Sequence, residues 1–155
     1  MSFVFRPLRW RDARVVASWH YAEPYTFYDL GLAPLLAHVV LHRLFALGAL
    51  GYYGVWNEQE ALVGVFSYYR EGRTVEIGLA LRPDLTGRRL GLEFLRAGLA
   101  FGRQLFAPTV FRLDVATFNQ RAIRVYERAG FASGKRFVKQ THKGPIEFME
   151  MTRLA

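Results

Sequence analysis

Residues 74–105 read TVEIGLALRPDLTGRRLGLEFLRAGLAFGRQL. Val75, Ile77, Leu79 and Leu81 alternate with smaller or polar residues across Thr74–Arg82, the two-residue period of a buried strand. Pro83 and Asp84 end it, because proline has no N–H to give a sheet ladder. Gly87 and Gly91 bracket a turn into a long helix. Along that helix Leu90, Phe94, Ala97, Phe101 and Leu105 recur at three- and four-residue spacing and make one face. Arg89, Glu93 and Arg96 lie on another face, spaced for helical ion pairs.

A junction of this kind suits an anion. The first turn of a helix presents N–H groups without intrahelical partners, and the macrodipole adds partial positive charge. Glycine lets a phosphate approach the backbone closely, and Arg88 and Arg89 add charge of the right geometry. The plainer alternative is that Gly87 shapes a turn and the arginines are solvated. The spacing is neither GxGxxG nor GxxxxGK, so neither a dinucleotide fold nor a Walker phosphate loop follows.

Outward from this stretch, 155 residues suit one domain spanning 1–155 with a real core. A 52% hydrophobic and 15% aromatic content argues against disorder. With no cysteine, the chain has no disulfide, thiolate metal site or acyl-cysteine route. Of 21 Lys plus Arg only Lys135, Lys139 and Lys143 are lysines, and the net charge is +8. Such a balance is compatible with nucleic acid, anionic lipid or a polyphosphate ligand, and does not choose among them. The N-terminal MSFVFRPLRWRDARVV lacks the apolar core of a signal peptide. In the apolar region 30–56, His38, His42 and Arg43 interrupt any run of the roughly 20 residues needed to span a bilayer. A cytoplasmic protein is the expectation.

The remaining elements follow from local signals. Phe3–Leu8 reads as a strand, and Asp12 can cap a helix to about His20 with Val15, Val16 and Trp19 inward. Tyr21–Gly31 is an aromatic loop, and Pro34 can open a second helix to about Leu47. Gly51–Asn57 and Ala61–Arg70 are strands joined by the polar turn Glu58–Glu60. After the long helix, Val110–Ala116 is a strand and Asn119 caps a helix stopped by Gly130. Phe131–Gln140 and Ile146–Arg153 close the chain as a hairpin. The order is β-α-α-β-β-β-α-β-α-β-β, an α+β class.

Two stretches resemble the GNAT superfamily of N-acetyltransferases. Leu81–Leu95 is similar to its acetyl-CoA motif, Q/R-x-x-G-x-G/A after a strand. Thr86-Gly87-Arg88-Arg89-Leu90-Gly91 covers that motif with two departures, Thr86 for the first residue and Arg89 for the middle glycine. Leu113–Phe131 resembles the second motif, a strand followed by N-x-x-A-x-x-x-Y-x-x-x-G-F, at Asn119, Ala122, Tyr126, Gly130 and Phe131. The element order also matches that fold along nearly the whole chain.

The resemblance implies a GNAT fold: a mixed, mostly antiparallel twisted sheet with helices on both faces and two splayed strands holding acetyl-CoA as co-substrate. It implies direct acetyl transfer to a primary amine. Thr86, Gly87, Arg88, Arg89, Leu90 and Gly91 would hold the pyrophosphate, and the backbone of Leu79, Ala80 and Leu81 would pair with pantetheine. Asn119 would meet the pantetheine or phosphate arm, or simply cap its helix. Tyr126 would contact the cofactor and protonate the departing thiolate, a role open to a neutral phenol; its plain alternative is a core aromatic. Gly78, inside the central strand, suggests a bulge at the splay. Glu76 is the candidate base, or else an outward carboxylate paired with an arginine, and Glu23 and Asp29 are weaker candidates. Tyr21, Tyr25, Phe27, Tyr28 and Asp29 fall where the family builds its acceptor pocket; equally, the aromatic residues simply pack the loop against the core. His38 and His42 lack the glutamate of a zinc helix, so no metal is expected. A small amine or a protein N-terminus is the expected acceptor, with no nucleic acid or membrane partner and a monomer or homodimer. The alternatives are a noncatalytic basic module binding RNA or DNA and a degenerate relative that only binds CoA.

Overall fold

The computed structural model describes residues 1–34, 36, 37, 40 and 50–155. The strands are β1 (Val4–Pro7), β2 (Leu50–Trp56), β3 (Leu62–Glu71), β4 (Thr74–Leu81), β5 (Val110–Ala116), β6 (Ala132–Thr141) and β7 (Gly144–Leu154). The helices are α1 (Trp10–Ala17), α2 (Gly91–Phe106) and α3 (Gln120–Arg128), with 3-10 turns at Tyr25–Tyr28 and Pro83–Leu85. Of the helix expected from Pro34 to Leu47, residues 34, 36, 37 and 40 are helical. The rest of that segment, His38 and His42 included, lies outside the described residues.

All seven strands share one sheet in the order β1-β2-β3-β4-β5-β7-β6. Every neighbouring pair is antiparallel except β4 and β5, which run parallel. This is the mixed α+β sheet that the sequence implies. The parallel pair joins over only three rungs, Thr74↔Val110, Val75↔Phe111 and Glu76↔Arg112. Beyond them β4 stays with β3 as far as Leu81, and β5 stays with β7 as far as Ala116. A slot therefore opens between Ile77–Leu81 and Leu113–Ala116. The expected bulge at Gly78 is absent, since β3 and β4 pair without a shift through Ser67↔Gly78. The splay comes from β5 leaving β4. Gly78 answers a steric need instead, because a Cβ there would lie 2.5 Å from Ser67 Oγ.

Helix α2 packs on one face of the sheet and α1 on the other. The face of α2 that is buried holds Phe94, Leu95, Gly98, Leu99 and Gly102, a stripe offset from the one read in the sequence. Leu105, placed inward by spacing, is 44% exposed. The two glycines account for the offset: a Cβ on Gly98 would sit 2.2 Å from the Phe66 ring, and one on Gly102 would sit 2.9 Å from Tyr68. Large sheet residues press against bare helix backbone, so the axis of contact follows the glycines. Glu93 pairs with the Met1 ammonium at 2.5 Å instead of with Arg89 or Arg96.

On the opposite face α1 buries Ala13 and Val16 beside Leu8, Trp19 and Val65. Asp12 stands inside the helix, and Arg9 is the N-cap. The Asp12 carboxylate accepts the Arg9 N–H at 2.9 Å from the third helical position, which satisfies a donor at the helix entrance. Val15, expected inward, is exposed.

Candidate active site

The slot between β4 and β5 is the middle of a cleft of about 690 Å³ that passes through the sheet. On the α2 side its walls are Thr86, Gly87, Arg89, Gly91 and Phe94, with Ala122, Val125 and Tyr126 of α3. On the α1 side they are Tyr21, Tyr25, Tyr28, Leu30, Tyr52 and Ser67. Ile77–Leu81 and Leu113–Val115 form the edges between. Leu90 and Arg88 adjoin this wall in sequence without lining it.

The turn from β4 into α2 takes its shape from two left-handed residues, Gly87 at φ +75° and Arg89 at φ +64°. Glycine reaches this region without cost, whereas arginine there is strained. Arg89 stands at the motif's departure, so it adopts a backbone conformation that suits glycine. Among the described residues no side chain caps α2, whose ladder begins with Phe94 N–H donating to the Leu90 carbonyl at 2.9 Å. The N–H groups ahead of it are left for another partner. By contrast, α3 is capped by its own sequence, with Asn119 Oδ1 accepting the Ala122 N–H at 3.2 Å. One helix entrance is closed and the other open, and the open one borders the cleft.

Tyr126 is half-buried in the cleft wall. Burial, aided by the Tyr28 phenol, pushes its pKa well above the ordinary tyrosine range. It therefore stays a neutral proton carrier at physiological pH. Asn119 does more than cap: its Nδ2 donates to the Tyr28 hydroxyl at 3.2 Å, which ties the aromatic loop to α3. Both halves of its amide are thus engaged within the chain.

The aromatic loop splits into residues that face the cleft and residues that hold the loop in place. Tyr21 lines the cleft and donates its hydroxyl to the Leu81 carbonyl at 2.8 Å, occupying one of the backbone groups expected to face pantetheine. Tyr25 carries the Arg121 guanidinium 4.3 Å above its ring. Asp29 lies outside the cleft wall and accepts from Tyr21 N–H at 2.9 Å and pairs with His20 at 3.1 Å. Burial acts to raise the Asp29 carboxyl, but those partners and Lys143 leave it below its ordinary value. Phe27 packs on His142 and Phe148. Glu23 accepts from Thr26 at 2.8 Å and meets Lys143 at 3.5 Å.

Glu76 sits at the closed end of the slot, outside the cleft wall, with its carboxylate 2.6 Å from Arg112. The arginine comes from the directly paired residue of β5, so the last parallel rung supplies the partner. The plainer reading, an outward carboxylate held by arginine, describes its geometry.

Residues not singled out from the sequence also line the cleft, namely Asp114 on β5 and Arg121, Arg124 and Arg128 on α3. The arginines recur at three- and four-residue spacing, a helical stripe visible in the sequence. Among the described residues no carboxylate lies within ion-pair distance of Arg88, Arg89, Arg121, Arg124 or Arg128. Arg121 stacks on Tyr25 toward the α1 side, and the other four leave uncompensated positive charge suited to phosphate.

Residues 2–132 match the family model described as an acetyltransferase (GNAT) domain. Among solved structures, a chimera of the spermidine N-acetyltransferase SpeG from Vibrio cholerae and hSSAT is similar at 18% identity and a TM-score of 0.80. That likeness covers 99% of this chain and 96% of that one. Spermidine N-acetyltransferase from Vibrio cholerae in complex with CoA and spermine is similar at 19% identity and a TM-score of 0.77, covering 98% and 95%. At such identities the likeness is one of fold. No curated protein matches the chain.

Proposed function

The chain belongs to the GNAT acetyltransferase family and is an acetyl-CoA-dependent N-acetyltransferase, and from that premise we propose how its own residues divide the work. Acetyl-CoA supplies the activated acyl carbon as a thioester. The uncapped entrance of α2 and the Gly87 turn receive the pyrophosphate through backbone N–H groups, with Arg88, Arg89, Arg124 and Arg128 adding charge. Beyond Glu76 the slot-facing edge of β4 has no strand partner, and it offers Leu79 and Ala80 backbone to the pantetheine arm as an added strand would. The Leu81 carbonyl, taken by Tyr21, contributes shape rather than a free acceptor.

In the reaction a neutral amine forms the C–N bond and the C–S bond breaks. The amine sheds one proton to solvent, the thiolate gains one from the Tyr126 hydroxyl, and the Tyr126 phenolate recovers a proton from solvent to close the cycle. A β4 N–H at the slot stabilises the developing oxyanion. The acceptor reaches the acyl carbon from the α1 side, between Tyr21, Tyr25 and Tyr28. A small-molecule amine fits this chamber. The Vibrio cholerae neighbour binds spermine, which supports a small-molecule amine as acceptor.

The observation that carries this reading is the through-sheet slot joined to an uncapped helix entrance, with Tyr126 in its wall. The test is thermal. Acetyl-CoA at 100 times its Kd should stabilise the fold by about 2.7 kcal/mol, and a screen of primary amines should then release CoA. Stabilisation by RNA at physiological salt, with none by acetyl-CoA, would replace the reading with a nucleic-acid module.

A further inference from the structure

Asp114 is the one carboxylate among the described residues in the cleft wall. It follows the last parallel rung, Glu76↔Arg112, by two residues. Continuing that register brings it level with Gly78, whose missing side chain leaves the slot open. Its carboxylate already holds a primary ammonium. Lys139 Nζ lies 2.9 Å away, and 5.3 and 5.0 Å from the ring centroids of Phe137 and Phe148. The Asp114 side chain is 18% exposed and that of Lys139 is 48% exposed, so the lysine is the partner that can swing away.

We infer that Asp114 anchors the ammonium of the acceptor, that Lys139 holds this position when no acceptor is bound, and that the acceptor is a monocationic primary amine with an aromatic or apolar body. The inference rests on the acetyl-transfer reading and extends it to substrate class. One carboxylate balances one ammonium. The nearby acids are committed elsewhere: Glu150, across from Asp114 on β7, to Lys135 at 3.9 Å, Glu76 to Arg112 at 2.6 Å, Asp29 to His20 at 3.1 Å and Glu23 to Lys143 at 3.5 Å. A second ammonium would instead approach Arg121, above Tyr25, and be repelled. The rest of the chamber, Tyr21, Tyr25, Tyr28 and Leu30, offers flat apolar faces to a carbon skeleton. Once anchored, the ammonium passes one proton by way of the Asp114 carboxylate to solvent and frees its lone pair for attack. Polyamines, the substrates named for the structural neighbours, fit this charge pattern poorly.

Calorimetric titration of the CoA-bound protein with 2-phenylethylamine and with spermidine tests the assignment. On the unmodified protein 2-phenylethylamine should bind at least tenfold more tightly than spermidine. Asp114→Asn should weaken 2-phenylethylamine by about 10–100-fold, as expected for a lost charge-assisted contact, with CoA affinity within twofold. Lys139→Met, which removes the tethered competitor, should tighten it by about two- to fivefold. Tighter spermidine binding, no effect of Asp114→Asn, or no amine binding to the CoA complex would overturn the inference and leave acetyl transfer standing. A protein that binds neither CoA nor acetyl-CoA would overturn both. The comparison of the two amines decides the matter even where the Asn variant is unstable.

Discussion

The C-terminal turn of α3 holds Tyr126 in place. Phe131 N–H donates to the Tyr126 carbonyl at 3.0 Å and Gly130 N–H to Glu127 at 2.9 Å, the paired bonds of a Schellman stop with glycine in the left-handed position. The Phe131 ring lies 6.1 Å from that of Tyr126, so the phenol is anchored by packing as well as by backbone. Tyr126→Phe keeps that packing and removes only the hydroxyl. Turnover in single-turnover assays should fall by about 10²–10⁴-fold with acetyl-CoA affinity little changed. Loss of melting temperature with intact chemistry would mark a structural tyrosine. Because burial raises its pKa, Tyr126 is protonated at every pH below the ordinary value near 10. The pH–rate profile should therefore show no alkaline limb from this group in that range, and an acidic limb from protonation of the acceptor amine. Arg89 gives a second test. At φ +64° its replacement by glycine removes backbone strain of about 1–2 kcal/mol, so Arg89→Gly should raise the melting temperature while lowering CoA affinity modestly. Gly87→Val, at φ +75°, should impair CoA titration more than Arg89→Gly does. The reverse ranking would mean that side-chain charge, not the backbone cradle, holds the cofactor.

At the scale of elements, α2 lies close to the sheet because two of its residues have no side chain. Phe66 and Tyr68 fill the space over Gly98 and Gly102, and the Tyr68 hydroxyl donates to the Gly98 carbonyl at 2.7 Å. Alanine at position 98 would gain about 1 kcal/mol of helix propensity. It would also place a methyl 2.2 Å from the Phe66 ring, and overpacking of this kind costs about 1–3 kcal/mol. Gly98→Ala should therefore be destabilising in chemical denaturation. Since the displaced helix carries the proposed pyrophosphate entrance, it should weaken CoA binding as well. A stabilised variant would show that α2 can lift from β3 without cost.

For the molecule as a whole, the chemistry depends on a sheet that is continuous at both ends and open in the middle. β4 and β5 are each tied to a full antiparallel neighbour, which lets them part without unravelling. The buried tyrosines set an alkaline limit to this assembly. Tyr68 is fully buried, and burial, with the Tyr53 phenol, raises its pKa above the ordinary range. The folded state then keeps a proton that the unfolded chain gives up above about pH 10, so stability declines as pH rises past that point. Each such tyrosine contributes a slope of about 1.4 kcal/mol per pH unit. Urea midpoints should be flat through neutral pH and drop steeply above about pH 10, and Tyr68→Phe should soften the drop. No helix among the described residues is long and apolar enough to cross a membrane.

Local chemistry settled the order of strands and helices, since alternation, glycine stops and the Asn119 cap act over a few residues and do not depend on distant contacts. The residues from Thr86 to Gly91 and the run from Asn119 to Phe131 made the family legible for the same reason: both are continuous in the chain. Four things needed the tertiary structure. Gly98 and Gly102 displaced the buried stripe of α2, which spacing could not foresee because the cause lies on β3. Glu76 proved to be held by Arg112, since only the register of β4 on β5 sets which charges meet. Asp29 turned out to brace the aromatic loop, through His20 and the Tyr21 backbone. Asp114 reached the cleft because the two parallel strands part after three rungs, and where strands part is decided by their other neighbours.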